Sequence, residues 1–169
     1  MARIDIKVSP YAYKLAGHPF EAGDNPKVNA QFSIRYCVAN ALLRRSSKLQ
    51  HFNEENVMDN QVIELIKNIH VFADPSPGDP AIRDGSASSH LSVRMELETK
   101  DGNIYHKDVD LPRGNPGNPL IEEEHLERFR DCVAYAEKRR PEPDIERILD
   151  LIGRLEMIED VRTLIPLLT

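Results

Sequence analysis

The chain has 169 residues, 40% of them hydrophobic, which suits one average domain or a domain with an appendage and is enough to bury a core. Acidic residues outnumber basic ones 28 to 22 for a net charge of −6, and the basic clusters "LLRRSSK" and "EKRRPEP" each close a predicted helix, where cations complement the dipole. A nucleic-acid partner would need a basic stripe and is excluded; no apolar run reaches membrane-spanning length and no signal-peptide pattern is present, so no membrane partner and a cytoplasmic location are expected.

"RIDIKVS" alternates Ile4, Ile6 and Val8 against Arg3, Asp5 and Lys7, the pattern of a half-buried strand. "PYAYKLAGHPFEAGDNPK" reads as a long connection, broken by Gly17, Pro19, Gly23 and Pro26. An apolar helix is expected from about Asn29 to Arg45. After a short polar link, Asp59 can cap a helix whose Val62, Leu65, Ile66 and Ile69 form one stripe, and "HVFAD" can extend into a strand. "PSPGDPAIRDGSASSH" reads as a Pro/Gly/Ser loop.

The clearest local signal is "HLSVRMELETKDGNIYHKDVDLP". Matching its apolar alternation pairs Leu97 with Tyr105, Val93 with Val109 and Leu91 with Leu111. That register leaves Lys100-Asp101-Gly102 as the loop, with Gly102 free to turn left-handed. It also sets Arg94 opposite Asp108 and Glu96 opposite His106. "PRGNPGNPL" breaks regularity again, and three helices are expected beyond it: about Glu122 to Lys138, Glu142 to Leu155 and Val161 to Leu168. Cys37 and Cys132 fall inside predicted helices, so both thiols are expected to be free and packed.

Chemistry is harder to find. The six histidines lie far apart, with no HExxH and no Cys-x-x-Cys partner, so no metal site is expected. There is no phosphate-binding loop, no dinucleotide fingerprint and no GxSxG elbow. The acidic run in "LIEEEHLE" is an ordinary first-turn complement to a helix dipole. One pattern stands out. At helical spacing Asn29, Ser33, Tyr36, Asn40 and Arg44 form a single polar stripe on an otherwise apolar cylinder. A solvated face would carry Lys and Glu; these are groups suited to hydrogen bonding in a confined place. Tyr36 could donate a proton at neutral pH. Equally, it could be a buried phenol whose hydroxyl meets a backbone carbonyl.

Four pieces of the chain, in order, resemble the C-terminal part of the MmgE/PrpD family: "IDIKVSPYAYKLAG", "NAQFSIRYCVANALL", "VDLPRGNPGNPL…LERFR" and "IGRLEMIEDVRTLIPLL". The resemblance spans essentially the whole chain. It implies an α+β fold: a small sheet with a β-hairpin, packed by helices into a lid-like domain over 1–120. A C-terminal helical segment over 121–169 would follow, which in the family packs on a large helical domain. It implies chemistry that moves a proton next to a carboxylate in a small polycarboxylic acid, as in 2-methylcitrate dehydratases, cis-aconitate decarboxylases and iminodisuccinate epimerases, with no metal or organic cofactor.

Tyr36 occupies the place of the family's active-site tyrosine, so the resemblance implies a catalytic role for it. Asn29, Ser33 and Asn40 would be its substrate-binding neighbours on the helical stripe; Arg113 would hold a substrate carboxylate, with Arg35 the competing choice. The Asp and His residues that full members carry on the helical domain have no counterpart in the sequence. The chain is therefore expected to be inactive alone, completed by a helical partner subunit or domain, or to form a homo-oligomer. A non-catalytic assembly module is the alternative from another class.

Overall fold

In the computed structural model, residues 1–74 and 92–168 are described. The expected loop "PSPGDPAIRDGSASSH" and the Leu91–Leu111 pairing lie outside them. The chain divides into two compact units, Met1–His125 and Leu126–Thr169.

The first unit is built on a four-stranded mixed sheet: β1 (Arg3–Val8), β2 (Ile69–Ala73), β3 (Val93–Glu98) and β4 (Ile104–Val109), in the order β2-β1-β3-β4. β1 runs parallel to β2 and antiparallel to β3, so it is central, and its alternation decides which face is apolar. Ile4, Ile6 and Val8 are buried beside Ile69 and Val71 of β2 and Leu97 of β3, while Arg3 and Lys7 are exposed. Against that face pack Ala30, Tyr36, Ala39, Val57 and Val62 from the intervening helices. A parallel pair needs a crossover connection, and the helical stretch between β1 and β2 supplies it.

The hairpin β3–β4 runs in the register that the alternation dictates. Val93 pairs with Val109, Arg94 with Asp108, Glu96 with His106 and Leu97 with Tyr105. Gly102 takes φ +82°, and Thr99 and Asn103 close the loop through a 2.9 Å backbone bond. His106 Nδ1 lies 3.4 Å from a Glu96 carboxylate oxygen. β4 is one of the two edge strands, and every one of its residues is exposed.

Between β1 and β2 the expected elements are corrected at several points. The long connection after β1 contains α1 (Pro10–Ala16), started by Ser9, whose Oγ accepts the Ala12 N–H, with Pro10 pre-set for the first turn. The single helix from Asn29 to Arg45 is two: α2 (Pro26–Gln31) and α3 (Ile34–Arg44). The break falls at Phe32-Ser33, because Ser33 leaves the helical conformation and its Oγ accepts the Tyr36 N–H at 3.2 Å, acting as the N-cap of α3. Beyond a 3-10 turn at Leu49–Phe52 come α4 (Glu54–Val57) and α5 (Asn60–Ile66). Asp59 caps α5 as expected, accepting the Gln61 N–H at 2.8 Å; Ile69, at the end of the expected stripe, belongs instead to β2.

Helix α6 (Glu122–Tyr135) joins the units, followed by α7 (Glu142–Gly153), 3-10 turns at Leu155–Met157 and Val161–Leu164, and the short α8 (Ile165–Leu168). The helix expected over Val161 to Leu168 is thus half 3-10 and half α. Ile145 and Ile148 of α7 are buried; Ile152 is exposed. Cys132 is free but exposed rather than packed, since none of the residues of α6 is buried; Cys37 is free and part-buried. Among the described residues no helix is long and apolar enough to cross a membrane.

Ile6 and Lys7 are neighbours on opposite faces of the central strand. Ile6→Ala should cost about 2–5 kcal/mol in urea unfolding through the cavity it leaves, and Lys7→Ala about 0.5 kcal/mol or less. Equal costs would contradict the assigned apolar face.

Candidate functional site

The polar stripe of α3 faces inward. Tyr36 is fully buried, its ring 5.6 Å from that of Phe20 and 5.5 Å from that of Phe52 by centroids. Its hydroxyl donates to the backbone carbonyl of His51, with the Asn56 carbonyl farther off at 3.5 Å. This is the geometry of the buried phenol that meets a carbonyl. Burial pushes the Tyr36 pKa above its ordinary value near 10, with the nearby Arg44 charge opposing.

One turn on, Asn40 is also fully buried. Its Nδ2 donates to the Ser46 carbonyl at 3.2 Å, and its Oδ1 accepts from Arg44 Nη1 at 2.8 Å. Arg44 Nη2 reaches Asp59 Oδ2 and Asn56 Oδ1, each at 3.1 Å. Asp59 therefore both caps α5 and neutralises Arg44, and Asn56, itself held by Asn53 Oδ1 at 2.9 Å, completes the network. Among the described residues no buried side-chain nitrogen or oxygen lacks a partner. The contributions of Asn53 and Asn56 were not foreseen; the signal was an Asn or Asp just ahead of each short helix in "HFNEENVMDNQ".

The other expected site residues stand elsewhere. Asn29 Nδ2 donates to the Ala22 carbonyl at 2.9 Å, tying down the loop before α2. Asn29 and Ser33 line a cleft of about 270 Å3, whose wall also includes His18, Glu21 and Phe32. Arg113 sits in the loop after β4, where its Nε donates to Glu124 Oε1 at 3.0 Å, its Nη2 bonds the other Glu124 oxygen, and its Nη1 donates to Asn118 Oδ1 at 3.0 Å. So Tyr36 and Asn40 are brought into one network, Asn29 and Ser33 into one cleft, and Arg113 into an ion pair apart from both. Among the described residues no three His, Cys, Asp or Glu side chains stand together as a metal ion would require.

The MmgE/PrpD C-terminal domain matches residues 1–156. The chain belongs to the MmgE/PrpD family. Among curated proteins, mouse (Mus musculus) cis-aconitate decarboxylase is 26% identical over 166 residues, covering 98% of this chain and 31% of its own length. The chain thus spans about a third of the curated relative it matches. Within this MmgE/PrpD domain, the tyrosine on the stripe is a fully enclosed group bonded to main chain.

Because Tyr36 is harder to ionise folded than unfolded, the folded state holds its proton longer, and stability falls as pH rises from about 10 toward the folded pKa. Alkaline unfolding should show this loss with a slope of up to about 1.4 kcal/mol per pH unit for this group. Tyr36→Phe should flatten that slope while lowering stability by about 1–2 kcal/mol at pH 7, since the His51 carbonyl loses its donor. An unchanged alkaline slope in the variant would contradict the buried placement.

Proposed function

We propose that this chain is the C-terminal portion of an MmgE/PrpD-type lyase acting on a small polycarboxylic acid, with dehydration of a 2-methylcitrate-like substrate as the reaction. The observation that carries the reading is the family match over 1–156, joined by the relative named for a decarboxylase of cis-aconitate, itself a small tricarboxylate. In the dehydration, a base supplied by a helical portion removes a proton alpha to a carboxylate. The electron pair left behind forms the carbon–carbon double bond, and the hydroxyl departs as water after taking a proton from an acid on the same helical portion. Cationic groups and N–H donors that hold the carboxylates are the part such a domain can contribute, because they stabilise charge where it develops. The site is proposed to be completed by a helical portion, in a partner subunit or elsewhere in the same polypeptide.

The resemblance implies contact between Tyr36 and substrate. Its burial and its bond to His51 support a different part: holding the segment 51–59 against α3, so that it acts through position. A non-catalytic interaction module remains the rival reading, favoured by the exposed Met157, Val161, Ile165 and Leu168, and it maps binding to that surface.

The test is turnover. The 169-residue chain alone should release no unsaturated product from 2-methylcitrate, while the chain combined with the helical portion of a family lyase should. Turnover by the chain alone would overturn the shared-site reading; cis-aconitate decarboxylation without dehydration would move the reaction within the family; no turnover in the combined protein would favour the module. In an active combined protein, Tyr36→Phe should lower the melting temperature by several degrees and leave kcat/KM within about threefold. A hundredfold loss at unchanged melting temperature would put the hydroxyl in the reaction itself.

A further inference from the structure

Arg113 and Arg35 are the two arginines weighed for a substrate carboxylate, and their surroundings differ in kind. Arg113 already holds a carboxylate, because Glu124 takes two of its nitrogens and Asn118 the third. An arriving carboxylate would have to displace an ion pair.

Arg35 holds none. Its Nε donates to the Ile69 carbonyl at 3.1 Å, and its Nη1 donates to the carbonyls of both Gly17 and His18. Carbonyl dipoles satisfy these N–H groups but cancel no charge, and among its described partners there is no Asp or Glu. Nη2, with two of the five guanidinium hydrogens, donates to no described residue, although no buried side-chain nitrogen or oxygen among them goes unsatisfied. The residue is half-buried, and that partial burial lowers the guanidinium pKa from its ordinary value.

Among the described residues no Asp or Glu adds an electrostatic pull on the guanidinium. Tyr13 acts on the guanidinium electrostatically and its ring meets the exposed His18 ring at 5.5 Å between centroids, while His18 Nε2 is 3.2 Å from the Lys14 carbonyl. Glu21, on the wall of the cleft that His18 also lines, makes no bond to Arg35. A partly desolvated cation clamped by three carbonyls, with one nitrogen left over, is a preorganised donor to an anion.

We propose that Arg35, rather than Arg113, is the carboxylate-binding residue of this chain: Nη2 donates to a carboxylate of the polycarboxylic acid while Nε and Nη1 stay on the carbonyls of Ile69, Gly17 and His18. The inference rests on the polycarboxylate class proposed above. With only Nη2 available the contact is end-on instead of two-pronged. Its direction is set by β2 and by the turn after α1, both of which the guanidinium grips. Arg113, locked to Glu124, serves to fix the loop after β4 to the start of α6.

The test is a titration of the isotope-labelled 169-residue chain with tricarballylate, which has three carboxylates and no hydroxyl to lose, following the side-chain N–H signals of both arginines. The expected result is a saturable shift at Arg35 with none at Arg113, and no saturation with the neutral trimethyl ester or with chloride at matched ionic strength. Arg35→Gln should weaken binding at least about tenfold, as expected for a lost charge-assisted hydrogen bond, while Arg113→Gln should leave it within about twofold.

Arg35→Gln also loosens the carbonyl clamp, so the shifts in the unsubstituted chain decide the matter if that variant fails to fold. Saturation at Arg113 alone, no saturable shift at either arginine, an equal response to chloride, or undiminished binding in a folded Arg35→Gln chain would each overturn the proposal. Binding is read without turnover. An inactive combined protein would therefore overturn the lyase reading and leave this subsite standing on its own titration.

Discussion

The amide of Asn40 and the phenol of Tyr36 are fully buried on a helix packed against the sheet, and each has to find a hydrogen-bond partner there. Much of the segment from Ser46 to Asp59 is organised by that requirement. Main-chain carbonyls of Ser46 and His51 receive the buried donors, and Arg44 links Asn40 to Asn56 and Asp59. Val57 of α4 and Val62 of α5 are fully buried, and Phe52, Leu65 and Ile66 pack part-buried against the same core. Polar satisfaction together with this apolar packing is what holds the segment from Ser46 to Ile66 against α3 and the sheet.

The same logic explains how one helix serves two purposes. The face with Tyr36, Asn40 and Arg44 turns toward 46–59, whereas Arg35, one residue before Tyr36, turns toward the end of α1 and the start of β2. Charge is cancelled on the first side by Asp59 and, among the described residues, left uncancelled on the second. That asymmetry is why the first side reads as architecture and the second as a place where an anion gains most. It also separates the two arginines by a property that residue type alone does not carry: an equal formal charge, one already answered by a carboxylate and one not.

Much of the sheet was legible in the sequence because strand periodicity is local. Ile4, Ile6 and Val8 alternate in the order in which they are buried, and the Val93–Val109 register follows from matching apolar faces across a loop whose Gly102 has the left-handed conformation it needs. Helix breaks were less legible. Nothing in the apolar pattern of "NAQFSIRYCVANALL" announces that Ser33 stops one helix and caps the next, since a serine is compatible with either conformation and the competing hydrogen bond is worth only about 1 kcal/mol. The stripe holds only in its α3 part: spacing places Tyr36, Asn40 and Arg44 on one side, whereas the break at Ser33 leaves Asn29 on α2.

What lies opposite that stripe is a tertiary fact. A period of 3.6 residues shows that three polar groups share a face; whether the face lines a cavity or meets carbonyls of a segment fifteen or twenty residues away depends on how the chain returns. By itself the sequence determined the α+β class, the hairpin with its register, and the family, because each is written in short-range periodicity or in the order of motifs along the chain. Only the tertiary structure decided that Tyr36 is enclosed, that Arg113 is already paired with Glu124, and that Arg35 faces three carbonyls and, among the described residues, no acid. The reason is that the partner of a polar group, unlike its position on a helix, is supplied by residues distant in the chain and brought near only by packing.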